Sequence, residues 1–246
     1  MKVILAMPAF CRAEMFEASR AYLKTIETPG LVDERWIFLN KYPLPSVEEN
    51  EKKLIKAAKR FGYKIFDSEY DRGPHKAWNN FLEKNPQPPG AITIGPDGDS
   101  AGCPGYDKAI IDVMRADPEI AVCALWNVGA SLQNDNLKEY YKEVAGYRVC
   151  YHPGIEMFNV CGIDLDWIKE TGGFNQPYAY YGCLELDMYP KFATTKRKLA
   201  YLVDFREGAD LTEDWSSYLD PEYREWKNAH LAGYVKSFGE WLKEFK

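Results

Sequence analysis

The first 125 residues alternate short apolar runs with helical patterns, and that alternation constrains the fold more than any other feature. Val3 to Met7, Trp36 to Leu39, Tyr63 to Phe66, Ala91 to Ile94 and Ile120 to Leu125 read as buried strands. Between them, residues 14–26, 47–60, 75–82 and 104–116 carry apolar positions at helical spacing. Gly73-Pro74 opens the third of these helices, since proline is tolerated in a first turn. Strands separated by helices predict an α/β domain with a mostly parallel central sheet and helices on both faces. The second half is less regular. Residues 126–154 carry no clear pattern, Ile155 to Val160 reads as extended, Asp164 to Thr171 as a short helix, Tyr201 to Phe205 as a late strand and residues 221–245 as largely helical. No repeat or long linker divides the 246 residues, so one domain is expected, with a first half over 1–125 and a second over 126–246.

Charge and cysteine content narrow the class. The formal net charge is -6, from 31 Lys and Arg against 37 Asp and Glu, which leaves no broad basic field for a phosphate backbone. Aromatic residues reach 15%, and their faces suit sugar rings and nucleobases as well as cores. The six cysteines are scattered without CxxC pairs, which suits reduced thiols rather than a disulfide scaffold or a zinc site. The opening apolar run is too short to cross a membrane and lacks the longer apolar core and cleavage site of a secretory leader. A cytoplasmic location is expected.

Two carboxylates sit where an open α/β sheet binds ligands. Gly95-Pro96-Asp97-Gly98-Asp99 follows the fourth apolar run, just past the C-terminal end of the expected strand. Asp97 and Asp99 are two apart across a glycine, a spacing that can set two hard oxygen ligands around one divalent cation. The same residues also suit an ordinary solvated turn.

Further segments occur in a recognisable order. They are Pro8-Ala9-Phe10 after the first strand, Gly73-Pro74-His75-Lys76-Ala77-Trp78-Asn79, the Asp97-Gly98-Asp99 turn, Thr171-Gly172-Gly173-Phe174-Asn175, and Tyr181-Gly182-Cys183-Leu184-Glu185-Leu186-Asp187. Together they resemble the nucleotide-sugar-dependent glycosyltransferases of the type-A fold, especially the family-two group and its galactosyltransferase-like relatives. The resemblance implies a metal-dependent hexosyltransferase. It would move a sugar from a nucleotide diphosphate sugar, UDP-linked in the first instance, to an acceptor hydroxyl, with inversion expected. Residues 1–125 would then be the donor-binding half. Residues 126–246 would be the acceptor-binding half and C-terminal helical segment.

The resemblance also implies roles. Pro8 and Phe10 begin the loop that lines the nucleotide base. Lys76 or Arg72 meets a phosphate or sugar hydroxyl, and Asn79 orients the carboxylate loop. Asp97 and Asp99 hold Mn2+ or Mg2+, with Asp97 also close to the donor. Near the C-terminus, His230 is a further metal ligand and Lys227 a basic partner for the diphosphate. Glu185 stands where the general base belongs, and Asp187 is its fallback, holding acceptor hydroxyls or the helix start. Trp126, Trp167, Tyr180 and Tyr181 are candidates to stack on sugar faces.

The chain departs from the family pattern around both acidic motifs. Gly95-Pro96 precedes the first aspartate where the family has a more apolar residue, Leu184 replaces the family's Glu and Glu185 the family's Asp, while Asp187 retains the later Asp. The incomplete acidic pair keeps a non-catalytic nucleotide- or sugar-binding protein as an alternative. Carbohydrate, glycolipid, protein and small molecules are the expected acceptors. A hydroxymethylated base of phage DNA is the less favoured one, given the acidic chain. A nucleotidyltransferase would want a glycine-rich basic loop after the first strand, and Met7 to Arg12 has no glycine. A dehydrogenase would want a Gly-any-Gly fingerprint there.

Overall fold

A computed structural model describes residues 1–10, 13–40, 47–67, 74–96, 102–126, 135–151, 160–174 and 184–206. In chain order the elements are β1 (Val3–Phe10), α1 (Ala13–Ile26), β2 (Glu34–Asn40), α2 (Val47–Arg60), β3 (Lys64–Asp67), α3 (Pro74–Lys84), β4 (Ile92–Pro96), α4 (Tyr106–Ala116) and β5 (Ile120–Trp126). A 3-10 turn (Asp135–Tyr140) leads to β6 (Tyr141–Val144), β7 (Tyr147–Cys150), β8 (Val160–Asp164), α5 (Leu165–Glu170), α6 (Leu184–Thr195) and β9 (Lys198–Arg206). The strands form one sheet in the order β3-β2-β1-β4-β8-β5-β9-β7-β6. β1, β2, β3 and β4 are mutually parallel, and β5 is parallel to β9. β8 is antiparallel to both of its neighbours, β4 and β5, which gives β5 and β9 the direction of β4. The result is the α/β domain with a mostly parallel sheet that the alternation predicts.

Side chains alternate between the two faces, as the pleat requires. Ile4 and Ala6 of β1, Phe38 of β2 and Val122 and Ala124 of β5 pack with Ala77, Trp78 and Phe81 of α3 and Leu165, Trp167 and Ile168 of α5. Val3 faces the opposite side with Ile110, Val113 and Met114 of α4. Leu5 and Met7 share that side with Phe16 of α1 and Leu54, Ala57 and Ala58 of α2. α2 forms over the stretch expected of it. Its buried residues recur at helical spacing, and Glu48–Lys52 and Glu49–Lys53 pair one turn apart on its exposed side. Much of the aromatic content goes into the core. Phe38 lies 4.6 Å from Phe81 and 4.8 Å from Trp78, ring centre to ring centre.

Two expectations change. β1 does not stop at Met7: Pro8, Ala9 and Phe10 remain paired with Phe38, Leu39 and Asn40. Past Leu5 only the β2 side of β1 is paired, which is where a strand can take a residue lacking an N–H. Residues 141–150, read as irregular, form the β6–β7 hairpin. Its turn is Ala145-Gly146 with φ of 52° and 83°, the two left-handed residues that a tight hairpin needs. Of the extended run Ile155 to Val160, only Val160 lies within the described residues, and it begins β8. The helical expectation over 221–245 falls outside them.

α4 packs tightly over β8 at Gly162. A Cβ on Gly162 would sit 2.3 Å from Ile110 Cγ2 and 2.8 Å from Met114 Sδ. Gly162→Ala is therefore expected to destabilise the fold by about 1–3 kcal/mol through overpacking, read as a lower denaturation midpoint. On β2, the Trp36 indole N–H donates to Glu34 at 2.8 Å, and Lys2 and Lys64 each stand 3.2 Å from the same carboxylate. That indole bond, ahead of the two lysines and against the opposing effect of burial, holds the Glu34 carboxyl down from 4.5 to about 2. A depressed carboxyl contributes stability that is present above its unfolded value and lost as pH falls through its folded value. Denaturation measured as pH falls from 4.5 to about 2 should show this loss, and Glu34→Gln should remove that share of the slope.

Candidate functional site

The common strand direction brings the C-terminal ends of β1, β2, β3, β4, β5 and β9 to one edge of the sheet. Along that edge the chain reverses. It steps from β1 outward to β2 and β3, then returns through α3 to β4 on the other side of β1. Such a reversal opens a crevice between the two central strands. The crevice has a structural counterpart here. The β1–β4 ladder runs only from Val3–Ile92 to Leu5–Ile94, so β1 continues for five residues with no β4 partner. β4 stays anchored on its far side, where Gly95 pairs with Cys161 and Pro96 with Val160 of β8. Gly95 marks the last close approach to β1, since a Cβ there would lie 3.1 Å from the Ala6 carbonyl oxygen. A bulkier residue would push β4 from β1, which accounts for glycine before the aspartate turn.

The structure places the expected residues around this edge to different degrees. Pro8 is buried within β1, and Phe10 is that strand's last residue, both on the stretch that outruns β4. Pro96 ends β4, and Asp97 and Asp99 follow it outside the described residues. Arg72, Lys227 and His230 also lie outside them, as do Tyr180 and Tyr181. Lys76 is half-buried in the first turn of α3. Trp78 meets Phe38, and Phe81 meets both Phe38 and Trp36, so α3 runs antiparallel to β2 with its first turn toward the C-terminal edge. Glu185 and Asp187 fall in the first turn of α6. Trp167 is not available to a sugar. It is fully buried, stacks on Phe192 at 4.7 Å and donates its indole N–H to Thr195 Oγ1 at 2.9 Å.

Asn79 joins two of the motif segments. Its Nδ2 donates to the Phe174 carbonyl at 2.7 Å, and its Oδ1 accepts from the Phe174 N–H at 2.8 Å. A single carboxamide thus satisfies both backbone groups of a residue 95 positions away. Phe174 is 2% exposed, so both bonds are made to the backbone of a buried residue. Gly173 is required beside it. Its φ is 81°, and a Cβ there would lie 2.6 Å from Asn79 Oδ1. The bonds tie Asn79 to the glycine turn. The expectation that it orients the carboxylate loop concerns residues outside the described set.

Lys191 is the residue the sequence reading missed. It lies on α6, 9% exposed, donates to the Gly173 carbonyl and sits 5.3 Å from the centre of the Phe174 ring. Its signal was present: Met188, Lys191, Phe192 and Thr195 follow helical spacing, which places one lysine on an otherwise core-facing stripe. α3, the glycine turn and α6 are thereby linked through Asn79 and Lys191. Among the described residues no cluster of three or more His, Cys, Asp or Glu could hold a metal ion, and no helix is long and apolar enough to cross a membrane.

No protein-family model and no curated protein sequence matches the chain. Solved structures do. The mannosyltransferase PcManGT from Pyrobaculum calidifontis, in complex with GDP-Man and Mn2+, is 14% identical and superposes with a TM-score of 0.58 over 82% of this chain and 55% of its own. GalNAc-T7 with UDP, GalNAc and Mn2+ is 12% identical, with a TM-score of 0.63 over 85% of this chain and 43% of its own. Glucosyl-3-phosphoglycerate synthase from Mycobacterium tuberculosis, with Mg2+ and UDP, is 13% identical, with a TM-score of 0.52 over 81% of this chain and 68% of its own. The chain thus has the type-A nucleotide-sugar glycosyltransferase fold, and it spans about half the length of the first two of these structures.

The Asn79 clamp can be tested directly. Asn79→Ala removes both bonds to the backbone of buried Phe174, and should cost about 1–3 kcal/mol of stability in denaturant titrations. Gly173→Ala should destabilise through the same contact, because its Cβ and Asn79 Oδ1 compete for one place.

Proposed function

We propose that this protein is a metal-dependent, inverting hexosyltransferase that moves a sugar from a nucleotide diphosphate sugar to an acceptor hydroxyl. The observation that carries this reading is positional. β4 ends at Pro96 beside the crevice that opens where β1 parts from β4, in a sheet of type-A order, and Asp97 is the next residue in the sequence. Residues 1–125 form the donor half of the proposed site, and 126–246 the acceptor half. Pro8 and Phe10 border the base pocket, and Lys76, Arg72 and Lys227 face the diphosphate. UDP-sugars are the first donors to test, because two of the neighbouring structures hold UDP, while the mannosyltransferase holds GDP-Man.

The donor set fits the implied ion by its chemistry. Asp97 and Asp99 supply hard carboxylate oxygens suited to Mn2+ or Mg2+, and an imidazole such as that of His230 is acceptable to Mn2+. Bound there, the ion would offset charge on the leaving diphosphate. Glu185 acts as general base and takes the proton of the attacking hydroxyl. The acceptor oxygen forms a bond to the anomeric carbon as the bond from that carbon to the diphosphate oxygen breaks, and the electron pair leaves with the nucleotide diphosphate. Asp187 serves the acceptor side or the helix start. The acceptor is a carbohydrate, glycolipid, protein or small-molecule hydroxyl. Leu184, where the family carries an acid, favours a second reading as a non-catalytic nucleotide- or sugar-binding protein.

Asp97→Ala and Asp99→Ala should each lower Mn2+-dependent turnover of the preferred donor on the order of 100-fold or more while the circular dichroism spectrum is unchanged. Near-normal turnover in both variants would remove the metal assignment. Tight, Mn2+-dependent nucleotide binding with no turnover in the wild type would favour the binding-protein reading.

A further inference from the structure

We propose that Lys191 is a positioning residue. It sets the first turn of α6, and Glu185 with it, against the glycine turn, so that its loss impairs turnover and spares donor binding. This rests on the reading of Glu185 as the general base.

From Met188 to Thr195, α6 is already seated without Lys191. Met188 is fully buried, Phe192 stacks on Trp167, and Thr195 accepts the Trp167 indole bond. A methionine or leucine would complete that apolar stripe at less desolvation cost than an ammonium group. Lys191 instead crosses to the turn, where it donates to the Gly173 carbonyl and covers the Phe174 ring. The contact ties α6 to the turn through the ammonium group of a residue 9% exposed, and so restrains how far α6 stands from it. The turn is itself fixed to α3 by the two Asn79 bonds. α3 carries Lys76 on the donor side, and α6 carries Glu185 six residues before Lys191. Six residues are about 9 Å along a helix axis, so a tilt of roughly 6° about Lys191 carries the backbone at Glu185 by about 1 Å. Misplacing a reacting group by about 1 Å costs on the order of 100-fold in rate.

The experiment compares the full-length wild type with Lys191→Met and Lys191→Arg by three measurements. These are Mn2+-dependent UDP binding by calorimetry, kcat and KM for UDP-sugar turnover with water as acceptor, and amide hydrogen exchange across residues 184–188. In Lys191→Met, kcat should fall about 10- to 100-fold with UDP affinity and donor KM within about twofold of wild type. Exchange over 184–188 should quicken, and Lys191→Arg, which keeps a cation for the carbonyl, should recover most of both effects. The proposal is overturned if kcat stays within about twofold, if the loss lies in KM or UDP affinity, or if exchange over 184–188 is unchanged. Should Lys191→Met not fold, Lys191→Gln takes its place with the same outcomes. A wild type that neither binds nor turns over any nucleotide sugar would sink the functional reading. The exchange measurement would then still decide whether Lys191 governs the first turn of α6.

Discussion

β1 is paired on both sides through Leu5, and from Ala6 to Phe10 it keeps β2 and leaves β4. That one-sided stretch is the constraint on which the candidate site depends. Its cause is the reversal of strand order at β1, which sends α1 and α2 to one face and α3 to the other. Pro8 suits the unpaired side, and Gly95 lets β4 approach β1 until the two part. β4 does not fray where it leaves β1, because β8 continues the ladder as far as Pro96. The aspartate turn therefore starts from a strand end held on one side and free on the other. A site that must admit a ligand while holding its carboxylates in place needs both properties.

The second organising contact is made by one side chain. Asn79 reads both the donor and the acceptor group of Phe174, so the glycine turn cannot shift along α3 without losing two hydrogen bonds together. Gly173 allows that approach, and Trp78 backs it with a ring contact to Phe174 at 6.1 Å. Segments far apart in sequence thus share one rigid junction.

What the sequence revealed depended on whether the cause was local. α2 was legible from residue to residue because its apolar period and its Glu–Lys pairs lie on one helix. The extension of β1 through Pro8 was not, because proline punctuates a chain locally, and only the absence of β4 on that side makes it tolerable. The β6–β7 hairpin was missed because Ala145 occupies a left-handed position that asparagine or glycine usually announces. In the site, the glycine turn and α3 stood out as separate motifs, while the bonds joining them appear only in three dimensions. Trp167 illustrates the reverse error. An aromatic residue near a sugar-like motif invites a stacking role, yet its place on α5 turns it into the core against Phe192.

The interleaving of the chain bears on how the proposed halves can work. β8 comes from the second half of the sequence, yet it lies between β4 and β5 of the first. Asp164, at its end, caps α5 through the Asp166 N–H and meets the Arg197 guanidinium at 2.5 Å, just before β9. Removing residues after 126 would therefore strip β4 of its partner at Pro96 and leave β5 without β8 and β9. The first half cannot present the carboxylate turn from an anchored strand on its own. Donor and acceptor functions, if they divide along the sequence, are divided in chemistry and shared in structure, because the strand that steadies the proposed metal turn is supplied by the half assigned to the acceptor.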